Sequence, residues 1–117
     1  MTDALNARVQ AFDGLGQPLR ELGRRGLYVG NLVRPKGVAT DSEGRIYVVD
    51  ALFDAVQIFT GDGALLLGFS ERGTKAGQLW LPNGIFIAPN DRIYVADAYN
   101  RRIAIFEPVE GAAEVKP

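Results

Sequence analysis

Arg45-Ile46-Tyr47-Val48-Val49-Asp50-Ala51 returns 47 residues later as Arg92-Ile93-Tyr94-Val95-Ala96-Asp97-Ala98. The same offset carries Pro35-Lys36-Gly37 onto Pro82-Asn83-Gly84, and Ile58-Phe59 onto Ile105-Phe106. It also runs backwards without an insertion. Asp3-Ala4-Leu5 aligns with Asp50-Ala51-Leu52, Val9-Gln10 and Phe12 with Val56-Gln57 and Phe59, and Gly14 and Gly16 with Gly61 and Gly63. Gly26, Gly30 and Leu32 fall in the same way on Gly73, Gly77 and Leu79. Many identities at one fixed offset are the signature of a repeat array, in which each unit is one supersecondary structure that buries its apolar face against its neighbour.

The central unit reads as four short strands, 37–41, 45–50, 55–59 and 64–69, each rich in β-branched, aromatic or aliphatic residues. Ser42-Glu43-Gly44 makes the first turn, 51–54 a short loop, and Gly61-Asp62-Gly63 a hairpin in which glycine supplies the positive φ. No stretch carries helical periodicity. Ile46-Tyr47-Val48-Val49 is apolar on both faces, so this strand needs a packed layer on each side. Stacked blades provide those layers, and four strands in roughly 40–50 residues is the blade period. The expected fold is therefore all-β: a partial β-propeller of four-stranded antiparallel blades. Its units are an incomplete first blade with its connecting loop (1–33), a complete blade (34–80), a last blade lacking its outer strand (81–106), and a Pro-, Glu- and Ala-containing tail (107–117) expected to be disordered.

Composition narrows the chemistry. Hydrophobic residues make up 47% of the 117, which fits a globular chain. With 13 Lys+Arg against 14 Asp+Glu, only a local patch of charge can select a partner. The absence of cysteine excludes disulfides and thiolate metal sites. The absence of histidine removes the commonest general base and metal ligand. Met1 to Phe12 contains no long apolar run, so neither a signal peptide nor a membrane span is read there.

Pro35-Lys36-Gly37-Val38-Ala39, Ile93-Tyr94-Val95-Ala96-Asp97-Ala98-Tyr99-Asn100 and Arg102-Ile103-Ala104-Ile105-Phe106 together resemble the NHL repeat of six-bladed β-propellers. The copy at 81–106 follows the pattern well. The central copy departs from it, with Phe53 in place of the Asn and Ala55 in place of the Arg. The resemblance implies a structural role for Arg102, which holds the repeat's Arg position. It specifies fold far more than function, because this propeller hosts many roles. Met1-Thr2-Asp3 aligns with the middle of a second strand, and Phe106 closes a third strand with no fourth after it. The expectation is the last two and a half blades of a longer six-bladed protein. The alternative is a small protein that completes its blades by self-association.

Asp3, Asp50 and Asp97 recur at the end of each second strand. Recurrence in every unit points to a carboxylate that accepts backbone N–H bonds in the following loop, rather than to an acid or metal ring. The Gly-x-Gly pairs are followed by strands, not helix N-termini, and read as hairpins rather than phosphate loops. The resembling enzyme families hold a central metal with His, Asp, Glu or Asn of their innermost strands. Here only Asp41, at a strand end, offers a carboxylate near the axis, and no nucleophile–base pair is visible. No catalytic residue, metal or cofactor is expected.

The loops are more informative. The connections 22–36, 51–54, 70–83 and 98–101 emerge on one face and carry aromatics together with arginines and lysines, the composition of a recognition surface. The candidate binding residues are Tyr28, Lys36, Phe53, Arg72, Trp80, Tyr99 and Arg101, with Arg24, Arg25, Arg34 and Lys75 nearby. Arg24, Arg25 and Arg72 also fit simple solvated loop charge. Leu79-Trp80-Leu81-Pro82 is in register with Leu32-Val33-Arg34-Pro35, so Trp80 either faces a ligand or covers blade-to-blade packing. The expected function is a non-catalytic binding or scaffold module whose partner is a protein or small ligand on the loop face. RNA or another polyanion is the alternative, distinguished by a steep salt dependence. A fragment of a propeller lyase or hydrolase is a third reading, and the open blade ends offer a route to self-association.

Overall fold

A computed structural model describes residues 2–3, 8–12, 15, 17–22, 35–51, 53–108 and 115–116. Strands β1 (Thr2–Asp3), β2 (Arg8–Phe12) and β3 (Pro18–Leu22) form a three-stranded antiparallel sheet in the order β1-β2-β3. Strands β4 (Pro35–Thr40), β5 (Ile46–Asp50), β6 (Ala55–Phe59) and β7 (Leu65–Phe69) form the central sheet in chain order, as an up-and-down meander. Strands β8 (Pro82–Ile87), β9 (Ile93–Asp97), β10 (Arg102–Pro108) and β11 (Val115–Lys116) form the last sheet. The fold is all-β, a partial propeller, and no helix occurs among the described residues.

The 47-residue repeat is reproduced pair by pair. Ile46↔Phe59 and Asp50↔Ala55 in the central sheet return as Ile93↔Phe106 and Asp97↔Arg102 in the last. Positive φ recurs as well: Gly44 (78°) matches Asp91 (67°), and Asp54 (53°) matches Arg101 (55°). Even the irregularity repeats. Between Pro35↔Asp50 and Gly37↔Val49 the register shifts by one residue, as it does between Pro82↔Asp97 and Gly84↔Ala96.

Two expectations are corrected here. The first strand begins at Pro35 rather than at 37, because Pro35 pairs with Asp50, and Lys36 therefore lies in β4 as the bulged residue instead of in a loop. The tail is not wholly without structure, and the last sheet has a fourth strand at one end. β10 continues to Pro108, and its extra ladder positions give the tail an edge to pair with: Glu107↔Lys116 and Pro108↔Val115. Beside 102–106, β10 pairs only with β9 among the described residues.

Strand alternation builds the core. Tyr47 and Val49 of β5 and Val56 and Ile58 of β6 turn one face of the central sheet toward the last sheet, and all four are buried. Leu79, Ile93, Val95 and Phe106 meet them in the same cluster, with Phe69 tilted against Phe106 at 4.9 Å between ring centroids. Fully burying each such side chain is worth about 1.5–3 kcal/mol, so this interface dominates the stability of the pair. The opposite face carries Val48 and Phe59, packed with Val38 and Ile46. Near the axis the inner strands come very close, and a Cβ at Gly37 would lie 3.2 Å from the Gly84 Cα. That approach is the physical reason for the glycine in the Pro-x-Gly element.

At one end of the sheets lie the turns between first and second and between third and fourth strands. There Asp91 accepts hydrogen bonds from the Ser42 N–H (2.9 Å) and hydroxyl (2.6 Å), joining the last sheet to the central one. Asp41 is buried and accepts four bonds: from the Glu43 N–H (2.9 Å), the Arg45 N–H (3.0 Å), the Arg45 Nε–H (2.6 Å) and the Tyr47 hydroxyl (2.9 Å). Among the described residues, no helix is long and apolar enough to cross a membrane.

Candidate binding surface

The other end carries the loops. Its foundation is a pair of buried carboxylates. Asp97, at the end of β9, accepts the Trp80 backbone N–H at 2.7 Å, the Asn100 Nδ2–H at 2.8 Å and the Arg102 Nε–H at 2.8 Å. This departs from the expected cap on the following loop. Because Pro82 pairs with Asp97, the nearest orphan backbone donor belongs to the connector entering the sheet, and the following loop contributes a side chain instead. Asp50 holds the same position in the central sheet and is fully buried.

Asn100 and Arg102 then bind the 70–81 connector from beneath. Asn100 Nδ2 donates to the Gly73 carbonyl (2.8 Å), and the Arg102 amino groups donate to the carbonyls of Thr74 (3.1 Å), Lys75 (3.1 Å) and Gln78 (2.8 Å). The connector also ties to itself through Leu79 N–H to Glu71 O and Gly73 N–H to Leu79 O, both at 3.0 Å. The Gln78 side chain lies where a Cβ on Gly73 would sit, so this position admits no side chain without displacing it. An open depression of about 420 Å³ within the connector is lined by Ser70, Glu71, Lys75, Ala76, Gly77 and Gln78.

The second carboxylate is Asp54. Lacking the motif's Asn and Arg, the central copy uses Asp54 as an inter-sheet clasp: its carboxylate accepts the Leu81 N–H at 2.7 Å and the Arg72 Nε–H at 2.8 Å. Leu81 is thereby held at φ 49°, a left-handed conformation that is unusual for a branched aliphatic residue.

This arrangement of strands, bulge and clasps coincides with a known repeat. The family model of the NHL repeat matches residues 79–106. This segment matches the NHL repeat. Its Asp97, Asn100 and Arg102 are the structural residues just described, and the 47-residue register repeats its strand pairing in the central sheet. A search of the curated proteins finds no match for the chain.

On top of these clasps the loop end presents three side chains together. Trp80 stacks on Tyr99 with ring centroids 4.3 Å apart and planes inclined by 24°, and Arg72 lies 5.7 Å from the Trp80 ring centroid. The Tyr99 N–H donates to the Trp80 carbonyl at 3.1 Å, which fixes the two loops together. Tyr99 is 57% exposed, the Arg72 side chain likewise 57%, and Trp80 is half-buried. The fully buried residue of the connector is Leu79, which fills the blade-to-blade core beside the Trp80 backbone.

Of the sequence-selected residues, Arg72, Trp80 and Tyr99 are thus brought into one stack. Arg101 is exposed in the same 98–101 loop as Tyr99, and Lys36 is exposed on its bulge. Phe53 is half-buried beside Asp54 in the chain and makes no ring contact with the stack. Tyr28, with Arg24, Arg25 and Arg34, lies outside the described residues. Sequence reasoning missed Asp54 and Asn100. The signal for Asp54 was the departure of the central copy from the motif: where Asn and Arg are lost, a carboxylate appears between them.

Proposed function

We propose that this chain is a non-catalytic binding or scaffold module that engages a protein partner through the Arg72–Trp80–Tyr99 face. The observation that carries the reading is the stack itself: an aromatic pair with an arginine on it, exposed to solvent and fixed from below by buried carboxylates. Rigid, partly exposed Trp, Tyr and Arg side chains are the residues that dominate binding energy at protein interfaces. Backbone in the left-handed region at Leu81 and Arg101, adjoining the stack, fits the same view, since such strain concentrates where a surface must be presented in a set shape. The non-catalytic part rests on the use already made of the buried carboxylates. Asp41, Asp54 and Asp97 each accept several hydrogen bonds within the fold. The test is partner binding to the wild-type chain and to Tyr99→Ala and Arg101→Ala variants. Loss of binding without loss of folding supports the proposal, and unchanged binding refutes it.

A second contact is favoured by one specific comparison. Tyr94, Ala96, Ile103 and Ile105 hold, 47 residues on, the register positions of Tyr47, Val49, Val56 and Ile58. In the central sheet these positions are 0–3% exposed beneath the last sheet, whereas Ile103 is 61% and Ile105 46% exposed, with Phe86 beside them at 62%. A face built to be covered is open, and a second copy of this chain is the proposed cover.

A further inference from the structure

The near-neutral composition hides a separation of charge between the two ends of the sheets. At the turn end, Glu43, Asp62 and Glu107 are exposed, and two arginines there are already engaged: Arg45 by Asp41 and Glu43, Arg92 by Glu107 at 2.6 Å. At the loop end the situation is reversed. The carboxylates Asp50, Asp54 and Asp97 are buried, the last two paired with Arg72 and Arg102, while Lys36, Lys75 and Arg101 are exposed with no ion-pair partner among the described residues. Glu71 is the exposed carboxylate of the connector, and it accepts the Gln78 amide. The loop end therefore presents free positive charge around an aromatic stack. Arg72 engages Asp54 through Nε, and among the described residues its terminal amino groups make no hydrogen bond, which leaves donors for a second carboxylate.

We propose that the loop end takes an acidic, extended peptide segment, with an apolar side chain seated against Tyr99 and the exposed Leu81 and carboxylates meeting Arg72 and Arg101. This rests on the reading of the loop face as a binding surface and adds the chemistry of its partner. Electrostatic complementarity of this kind selects partners and speeds encounter. The apolar seat supplies the contact area, since Leu81 is 46% and Tyr99 57% exposed within two loops held together by a backbone hydrogen bond. A peptide fits better than a nucleic-acid strand. Single-strand binding uses aromatic platforms spaced so that successive bases stack on them along a basic groove. Here the two rings are closed against each other at 4.3 Å, with Arg72 5.7 Å from the Trp80 centroid, so they do not form spaced platforms for successive bases.

The experiment is a selection of random heptapeptides on the full chain, followed by titration of the enriched peptides against it. Trp80 is the chain's single tryptophan, so its fluorescence reports on this site alone. The expected result is enrichment of peptides with net negative charge and at least one Leu, Phe, Tyr or Trp, which change Trp80 fluorescence on binding. Arg101→Glu, and Asp/Glu→Asn/Gln in the peptide, should each weaken binding by about tenfold, and added salt should weaken it further. Neutral or basic enriched peptides that still perturb Trp80 would overturn the acidic preference and leave the loop-face reading standing. Enriched peptides that leave Trp80 silent and survive Tyr99→Ala, or no enrichment at all, would overturn both. Oligouridine bound more tightly than any enriched peptide, with a steep salt slope, would overturn the peptide assignment in favour of a nucleic acid.

Discussion

The Arg102 guanidinium donates to the Asp97 carboxylate at 2.8 Å, and its other N–H groups hold three carbonyls of the connector that bears Trp80. One side chain thus links the end of a core strand to the loop that shapes the exposed face. Lysine keeps the charge but loses the planar fork that reaches several acceptors at once. Arg102→Lys should therefore cost about 1–3 kcal/mol, the scale of lost charge-assisted hydrogen bonds. Asp97→Ala should cost at least as much, because it also orphans the Trp80 N–H. Urea unfolding of both variants measures this, and a loss below about 0.5 kcal/mol would assign the contact to the solvated surface.

Phe59 and Phe106 occupy equivalent register positions and both are 2% exposed, Phe59 on one face of the central sheet and Phe106 in the core between central and last sheets. Phe12 holds the same position in the sequence, and its side chain lies outside the described residues. Truncating Phe59 or Phe106 to Ala should cost about 3–5 kcal/mol, the range for large aromatic deletions in a core. Thermal or chemical melts decide it.

The fold was legible because identities at a single offset fix strand, turn and register together, and because Ile46-Tyr47-Val48-Val49 demands a layer on both faces. The site was legible only in part. Arg72, Trp80 and Tyr99 were selected by composition, but their convergence depends on hydrogen bonds made across the connector. Asp54 reaches Arg72 and Leu81, 18 and 27 residues away, and nothing local marks it as an acceptor. Leu79 and Trp80 are neighbours in one apolar tetrapeptide, and only the packing of the last sheet decides which is buried. Lys36 left the loop because a bulge, invisible in sequence, lets Pro35 pair with Asp50.

Burial pushes the Asp41 carboxyl upward, but hydrogen bonds from Arg45, Tyr47 and Glu43 together outweigh it, and the group lies below its ordinary value. A depressed folded pKa adds stability that is present above the unfolded value of about 3.9 and is lost as the pH falls through the folded value. The stability difference between wild type and Asp41→Asn should therefore be flat between about pH 5 and 7 and shrink below about pH 4. Urea midpoints across that range test the direction, and a difference that grows on acidification would contradict it.

The open face of the last sheet should make the chain associate as concentration rises. Ile103→Glu with Ile105→Glu places charges where the central sheet has the buried Val56 and Ile58. Light scattering after size exclusion is expected to show wild-type oligomers and a largely monomeric double variant. A monomeric wild type at high concentration would remove the proposed self-contact without touching the loop face.

We propose that the Trp80–Tyr99 stack is a surface for a partner and not a packing element. Its most direct measurement pairs the melting temperature of Tyr99→Ala with its affinity for peptides selected on the wild-type chain. Tyr99 is 57% exposed and its backbone hydrogen bond survives the substitution, so stability should change by no more than about 0.5 kcal/mol while affinity falls by about tenfold or more. A large drop in melting temperature with affinity unchanged would place the stack in the architecture of the fold and rule it out as a partner surface.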